Sequence, residues 1–442
     1  MKENDHGGND HHLKRSIPAG TCDLVGEEAR QRQNVIDIIR RVYELHGFEP
    51  LYTPILEHSA VFNGHHGEGE KLLFNLGDSA NKRLVLRYDL TVPLARVVSM
   101  YPNLPRPFKR YQIATVFRDD NVDTSHDREF TQCDGDVIGA QSLTADAEIL
   151  CLAHDGLSKL GFKKFSIRIN HRAIIKGIAT RAGIDTLGGV LQIQRALDYA
   201  DKVSKDGLKG VVTDLRQRDL PDNVISAILP VLEIKGNVTE SLAQLRELLH
   251  AEPNALLGID ELHEILSYAD PGVIADVSID LTLARGADYY TGFILEGIID
   301  EVPVGAVLGG GRYDNLVEAF HAPKEPAVGM AFGLNRILTA MKQLEMSGMN
   351  GSQNKAIVIC LSHNQATKAL QFSRKLRTMR IETDLCCEFS DAEKGLDYAK
   401  KRGFKVAICA AGNISTWEIH ETSGSSGLSS VISGVLKSMP KT

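Results

Sequence analysis

The order of apolar and polar positions divides the chain before any motif is sought. From Asp23 to Glu27 a polar start opens a helical period that continues through Val35, Ile36, Ile38, Ile39, Val42 and Leu45, and Gly47 ends it. FEPLYTPILE then reads as extended chain broken by Pro54. RLVLRYDLTVPLARVV begins as a strand and turns into a helix at Pro93. FKRYQIATVFRDD and DREFTQCDGDVIGA read as an antiparallel pair joined by the polar turn NVDTSH. A helical period returns from Ala145 to Leu160, and FSIRIN is a short strand.

From about residue 171 to 270 the texture changes. VLQIQRALDYADKV, NVISAILPVLEI, ESLAQLRELLHA and LHEILSYA carry helical periods with almost no strand signal, which predicts an all-helical insertion. Strands resume at VIADVSIDLTL, YTGFILEGII and VGAVLGGGRYD, and a helix begins near Leu334. After the Gly/Ser/Asn-rich stretch 347–354, which reads as a linker, strands and helices alternate to the end of the chain. This predicts a small α/β unit over 355–442 with a mostly parallel sheet. The expected organisation is a disordered tail over 1–12, a mixed core over 13–170 and 271–346 interrupted by the helical insertion 171–270, the linker, and the terminal unit. The fold class is α/β of the α+β kind.

Composition narrows the function. Lys and Arg total 50 against 57 Asp and Glu, for a net charge of −7. That balance argues against coating nucleic acid by bulk charge but leaves a local basic surface open. No apolar run reaches the roughly 18 residues of a membrane span, and the opening MKENDHGGNDHHLKR lacks the apolar core of a secretory signal. Seven cysteines without a CxxC predict a reduced, cytosolic protein with neither a disulfide frame nor a zinc knuckle. His6, His11 and His12 lie in the tail and read as part of a frayed end. Gly64–Lys71 approaches a phosphate-loop pattern, but Glu70 displaces the lysine by one place, and no GxGxxG or HExxH occurs. An ATP user of this sequence needs a fold other than those.

Three clusters place arginines and acids beside glycines. In the first, Arg118 ends a strand, and Gln132, Asp134 and Asp136 share one face of its partner by the two-residue period. Such a face is either solvated or bound to something. In the second, LARGADYYTG, Arg285, Asp288, Tyr289 and Tyr290 crowd between Gly286 and Gly292. The tyrosines read as core or as a pocket wall. In the third, Gly309, Gly310 and Gly311 let a backbone approach closely, and Arg336 enters a helix at GLNRIL. Arginines at three separate sites suit a polyphosphate held by guanidinium forks.

These segments carry a resemblance. The chain, from about Lys14 to its end, resembles the class II aminoacyl-tRNA synthetases and, within them, the histidyl-tRNA synthetase family. Pro54 in TPILE stands where the family has the proline of its dimer-forming first motif. FRDDN and REFTQCDGDVIG resemble the second motif, and GLNRIL resembles the third. LARGADYYTG resembles the histidine-specific signature and is the most specific of these signals. Segment 171–270 and the terminal unit match the family's insertion and anticodon-binding domains.

The resemblance implies a class II antiparallel-sheet catalytic domain and two steps, attack of L-histidine on the α-phosphate of ATP and transfer of the acyl group to tRNA(His). It implies that Arg118 and Arg285 are catalytic, flanking the α-phosphate, with Mg²⁺ bridging phosphates and no metal held by a protein site of its own. Asp89, Thr91 and Gln132 would receive the α-amino group, Arg118 the carboxylate, and Asp136, Tyr289 and Tyr290 the imidazole. Asp120, Arg128 and Arg336 would join Arg118 in binding ATP. His126 falls where the family commonly has a phosphate-binding arginine, Asp120 replaces a glutamate, and Asn335 stands where a glutamate is common. A cytoplasmic homodimer is implied. The rival reading is a histidine-sensing regulatory subunit of ATP phosphoribosyltransferase, which resembles the same core but typically lacks the anticodon domain.

Overall fold

The computed structural model describes residues 16–62, 72–79, 82–121, 127–184, 193, 212–213, 216, 221–234, 236–283, 290–346, 355–410, 417–422 and 426–438. The tail, Gly64–Lys71, His126, Arg285, Tyr289, the stretch 347–354 and most of VLQIQRALDYADKV lie outside them. The chain forms two compact units, Val35–Met346 with the segment up to Asp23, and Ser347–Thr442 with Leu24–Asn34.

In chain order the first unit's strands are β1 (Glu49–Pro50), β2 (Leu56–His58), β3 (Asn75–Ser79), β4 (Lys82–Leu86), β5 (Phe108–Phe117), β6 (Glu129–Ile138), β7 (Phe165–His171), β8 (Val277–Ile279), β9 (Phe293–Ile299), β10 (Ala306–Arg312) and β11 (Ala327–Gly333). Its early helices are α1 (Gly26–Leu45, its first turns belonging to the other unit), α2 (Thr91–Met100), α3 (Thr144–Lys159) and α4 (Arg172–Arg181). Eight strands form the main sheet in the order β1-β5-β6-β11-β10-β9-β7-β8. Its middle, β5 through β7, is antiparallel throughout, and only the two outer pairs are parallel. This is the mixed fold with a large antiparallel sheet that the sequence implies.

One face of this sheet is closed by helices. Tyr43 of α1 stacks on Tyr111 at 5.6 Å, and its hydroxyl donates to the Cys133 carbonyl at 2.6 Å. Gly135 lies directly beneath that ring; a Cβ there would sit 2.2 Å from it, so only glycine lets the helix approach. Gly156 of α3 admits Phe332 in the same way. The opposite face is left for chemistry.

A surface ion cluster ties the end of α1 to α3. His46 lies 3.2 Å from Asp155 and 3.8 Å from Glu148, which also pairs with Lys109. Hydrogen bonding to Glu148 outweighs burial and raises the His46 pKa, and the same contact lowers that of Glu148. The raised histidine stabilises the fold fully below its unfolded pKa of about 6.5, and this is lost as pH rises through the higher folded value. The lowered glutamate stabilises above its unfolded pKa of about 4.3 and loses this as pH falls through the folded value. Together they contribute most between those pH values. His46→Gln should therefore lower the thermal midpoint at pH 6, by the equivalent of roughly 0.5–1 kcal/mol, and by much less at pH 8.5. A gap of equal size at both pH values would contradict the assignment.

The insertion is helical where it is described: α4, Asp222–Leu232, Val238–Leu248 and Pro253–Tyr268. Asn237 and Glu240 form a reciprocal capping box at the start of the third. One expectation needs correction, and one strand was not foreseen. VIADVSIDLTL is not one strand, because Pro271 begins a helical turn over Pro271–Ala275 and leaves only Val277–Ile279 extended. AVGMAFG, whose small residues gave no strand signal, is the central strand β11.

The second unit has strands β12 (Lys355–Cys360), β13 (Glu382–Cys386), β14 (Val406–Ala410) and β15 (Glu418–Glu421) in the order β13-β12-β14-β15. β12 runs parallel to both neighbours, and β15 closes the edge antiparallel. Val358 and Ile408 face Phe372, Trp417 and Ile432, while Ile357, Ile359 and Ala407 face Ala399 and Phe404. Helices on both faces explain why KAIVIC reads as an unbroken apolar run.

Candidate active site

The two-residue period of the strands builds the open face. β5 presents Arg110, Gln112, Ala114 and, just past its end, Arg118; β6 presents Gln132, Asp134 and Asp136 in register beside the first three. Next come Gly329, Ala331 and Gly333 of β11, then Gly309 and Gly311 of β10. The result is a polar wall beside a floor with almost no side chains. The floor's glycines are obligatory where the wall leans over them: a Cβ on Gly329 would lie 2.0 Å from Asp136 Oδ1, and one on Gly311 would lie 2.5 Å from the Phe293 carbonyl. Tyr290 covers Gly311, its ring 3.1 Å from where that Cβ would be.

At the deep end, Arg110 is wholly buried and Asp136 is 2% exposed. The Arg110 guanidinium lies 2.7 Å from Asp136 Oδ2 and donates to the Leu90 carbonyl at 3.2 Å. The Tyr313 hydroxyl donates to Asp136 Oδ1. Asp136 therefore has both oxygens engaged by protein groups. Burial pushes the carboxyls of Asp136 and, more strongly, Asp134 above the usual carboxylate range, with Arg110 opposing. The reading of this face as a solvated exterior is excluded by that burial. Asp89 and Thr91, also buried, stand at the start of α2, where Asp89 Oδ1 accepts from the Val92 amide at 3.2 Å. That bond satisfies one of the free amides of the first turn, and the helix starts at Thr91, two residues before the proline that marks it in the sequence.

At the mouth, the Arg118 guanidinium lies between the rings of Tyr88 at 4.3 Å and Phe130 at 4.9 Å. Its Nε is buried without a hydrogen-bond partner. The aromatic pair fixes the cation without consuming its donors. Arg128 donates from Nε to the Asp120 carbonyl at 3.1 Å and lies 3.4 Å from Asp119. Asp120 accepts from the Asn121 amide. Asn335 donates to Asp127 at 2.8 Å, which ties the returning hairpin to the helix Leu334–Gln343. Arg336 follows, donating to the Ala306 carbonyl at 3.0 Å. Arg118, Asp120, Arg128 and Arg336 thus belong to the hairpin end of the sheet, and Asp89, Thr91, Gln132, Asp136 and Tyr290 to its middle.

A family model described as histidyl-tRNA synthetase matches residues 20–337. The chain belongs to the histidyl-tRNA synthetase family. It is 36% identical over 421 residues to the histidine–tRNA ligase of Cytophaga hutchinsonii, covering 89% of this chain and 92% of that protein. It is 37% identical over 375 residues to the histidine–tRNA ligase of Aeropyrum pernix, covering 83% and 84%. A crystal structure of histidyl-tRNA synthetase from Nostoc superposes with a TM-score of 0.79 at 26% identity, covering 96% of this chain and 99% of that one. Fold class and family thus stand as the sequence implied.

For this histidyl-tRNA synthetase family member, sequence reading left out Arg110, Gln112 and Tyr313. Applying the two-residue period to β5 as well as to β6 would have found the first two. Tyr313 stands two places beyond Gly311, on the side of the floor. A separate cavity of about 580 Å³, lined among others by His171, Glu261, Arg312 and Asp314, contains none of the residues above. In its lining His171 pairs with Glu261 at 2.9 Å and Arg312 with Asp314, and Arg312 also holds Asp146.

Proposed function

We infer that the chain is a histidine–tRNA ligase, condensing L-histidine with ATP and passing the histidyl group to tRNA(His). The observation that carries the mechanism is Arg118, a guanidinium clamped between two rings at the mouth of a pocket floored by glycine and walled by buried acids.

The histidine carboxylate attacks the α-phosphorus, pyrophosphate leaves, and Arg118 stabilises the charge shared by carboxylate and phosphate as the bond forms. Positioning does the rest. By the family resemblance Arg285 faces the same phosphate, and Tyr289 joins Tyr290 beside the imidazole. Thr91 and Gln132 receive the α-amino group with Asp89. Asp136 acts on the imidazole in concert with the groups that hold it, Arg110 and Tyr313. Arg128 and Arg336 bind the ATP phosphates, and Asp120 fixes the hairpin that carries Arg128. Among the described residues no group of three or more His, Cys, Asp or Glu converges as a metal site. A Mg²⁺ ion would be held chiefly through the ATP phosphates, whose charge it would neutralise. In the second step a ribose hydroxyl of the tRNA end attacks the acyl carbonyl and AMP leaves.

The second unit is assigned to anticodon binding and the helical segment 171–270 to the family's insertion domain. A homodimer is supported by the apolar exposure around Pro54, where Tyr52 is 86% exposed and Leu45, Ile55 and Leu56 are also uncovered. Among the described residues no helix is long and apolar enough to cross a membrane, and the site of action is assigned to the cytoplasm. The regulatory-subunit alternative is less supported, because the curated relatives match as ligases over nearly their full length. Charging of tRNA(His) with labelled histidine by the purified protein tests the reading; binding of histidine without charging would overturn it.

A further inference from the structure

Two buried acceptors on the polar wall have no partner. Gln132 Oε1 and Asp134 Oδ1 are shielded from solvent and make no hydrogen bond. They stand two residues apart on one face of β6, roughly 7 Å along the strand. Asp134 is 2% exposed. It is not the counter-ion of Arg110: among the described residues, the carboxylate within ion-pair distance of that guanidinium is Asp136. Asp134 is instead close enough to Asp89 and Arg118, as well as to Asp136 and Arg110, to feel the charge of each. A buried acceptor left unpaired costs stability, so a fold that keeps two of them side by side has a use for donors there.

We propose that Asp134 is an acceptor for the α-ammonium group of the amino-acid substrate, sharing that cation with Gln132 and Asp89. This rests on the reading of the site as a histidine-activating pocket. An ammonium group has three N–H donors. Gln132 Oε1 and Asp134 Oδ1 are free to take two of them. The third is left to the neighbourhood of Asp89, which the family resemblance places at the α-amino group. Asp134 shares its surroundings with two acids, Asp89 and Asp136, and with three arginines, Arg87, Arg110 and Arg118, and among the described residues none of these arginines lies within ion-pair distance of it. Burial and the neighbouring acids hold the Asp134 carboxyl well above its usual range, with Arg110 and Arg118 opposing. An arriving ammonium adds positive charge beside it and favours the ionised acceptor. Asp136, by contrast, holds Arg110 and Tyr313 and serves the pocket through them.

The test compares three ligands that differ in one group each. L-histidine has ammonium, carboxylate and ring; histidinol keeps the ammonium without the carboxylate; imidazole-4-propionate keeps carboxylate and ring without the ammonium. Their binding to wild type, Asp134→Ala and Asp134→Asn is measured by calorimetry, with a melting curve for each protein. Loss of a charge-assisted hydrogen bond should weaken histidine and histidinol by roughly 10- to 100-fold in Asp134→Ala, and less in Asp134→Asn, which keeps an acceptor oxygen. Imidazole-4-propionate should bind both variants within about threefold of wild type by the same argument. Asp134→Asn removes a crowded charge at constant volume and should melt no lower than wild type, so it decides the matter even if Asp134→Ala folds poorly. Equal weakening of all three ligands, or none, would overturn the assignment. Wild-type protein that binds imidazole-4-propionate but neither ammonium-bearing ligand would overturn it as well. Failure of the wild type to bind any of the three would remove the histidine reading itself and this proposal with it.

Discussion

Arg118→Ala is expected to slow histidine-dependent pyrophosphate exchange by about 10²–10³-fold or more while leaving the protein folded. The two halves of that expectation have separate causes. The guanidinium is held by the faces of Tyr88 and Phe130, among the described residues no carboxylate pairs with it, and its Nε is unpartnered. Removing it costs the fold only cation–π contacts, worth about 0.5–1 kcal/mol each at a partly exposed site. The charge that builds between carboxylate and α-phosphate, however, loses its donor at the moment it forms, so the loss should fall on kcat as well as on KM. Exchange kinetics beside a thermal melt measure both. A variant with wild-type exchange would remove Arg118 from the chemistry, and one that melts many degrees lower would show that its role is structural.

Arg110→Met should behave in the opposite way. Arg110 is fully buried and has Asp136 as its ion-pair partner at 2.7 Å. Taking away the cation leaves Asp136 beside Asp134 without its ion-pair partner, and breaking a buried pair from one side typically costs about 3–5 kcal/mol. The loss should appear as a lower thermal midpoint, measured by calorimetry. Arg110→Met combined with Asp136→Asn should recover part of it, since the orphaned charge is then gone. Strict additivity of the two substitutions would mean that the pair does not act as a unit.

The contrast between these two arginines marks what the sequence could and could not disclose. Arg118 was legible because it ends a strand, sits next to a polar turn and lies in a segment with a family resemblance. Arg110 lies eight residues earlier on the same strand and carries no such flag. Its partner is on β6, 26 positions away, and only the register of the hairpin brings them together. For the same reason the sequence marks Asp136 as a candidate but does not disclose that Arg110 and Tyr313 hold it. Elements followed a similar rule. The hairpin β5–β6 alternates and is bounded by polar turns, so its ends were predicted closely. β11 did not, because AVGMAFG is made of small residues chosen for the close approach of neighbouring backbones and the floor of the site. The terminal unit alternates strand and helix with a mostly parallel sheet, as its sequence predicts, since buried parallel strands and amphipathic helices there are joined by short connections.

The site residues make the account a claim about one substrate. Buried acids, a tyrosine over a glycine floor and a clamped arginine describe a pocket for a zwitterion with a polar ring, and hydrogen-bond reading of such a ring can reach about 10⁴–10⁵ in discrimination. The most direct test is pyrophosphate exchange by the full-length protein, measured with each standard amino acid in turn at equal concentration. The account predicts exchange with histidine and, within detection, with none of the others. Exchange with a different amino acid, or tight histidine binding without any exchange, would contradict it.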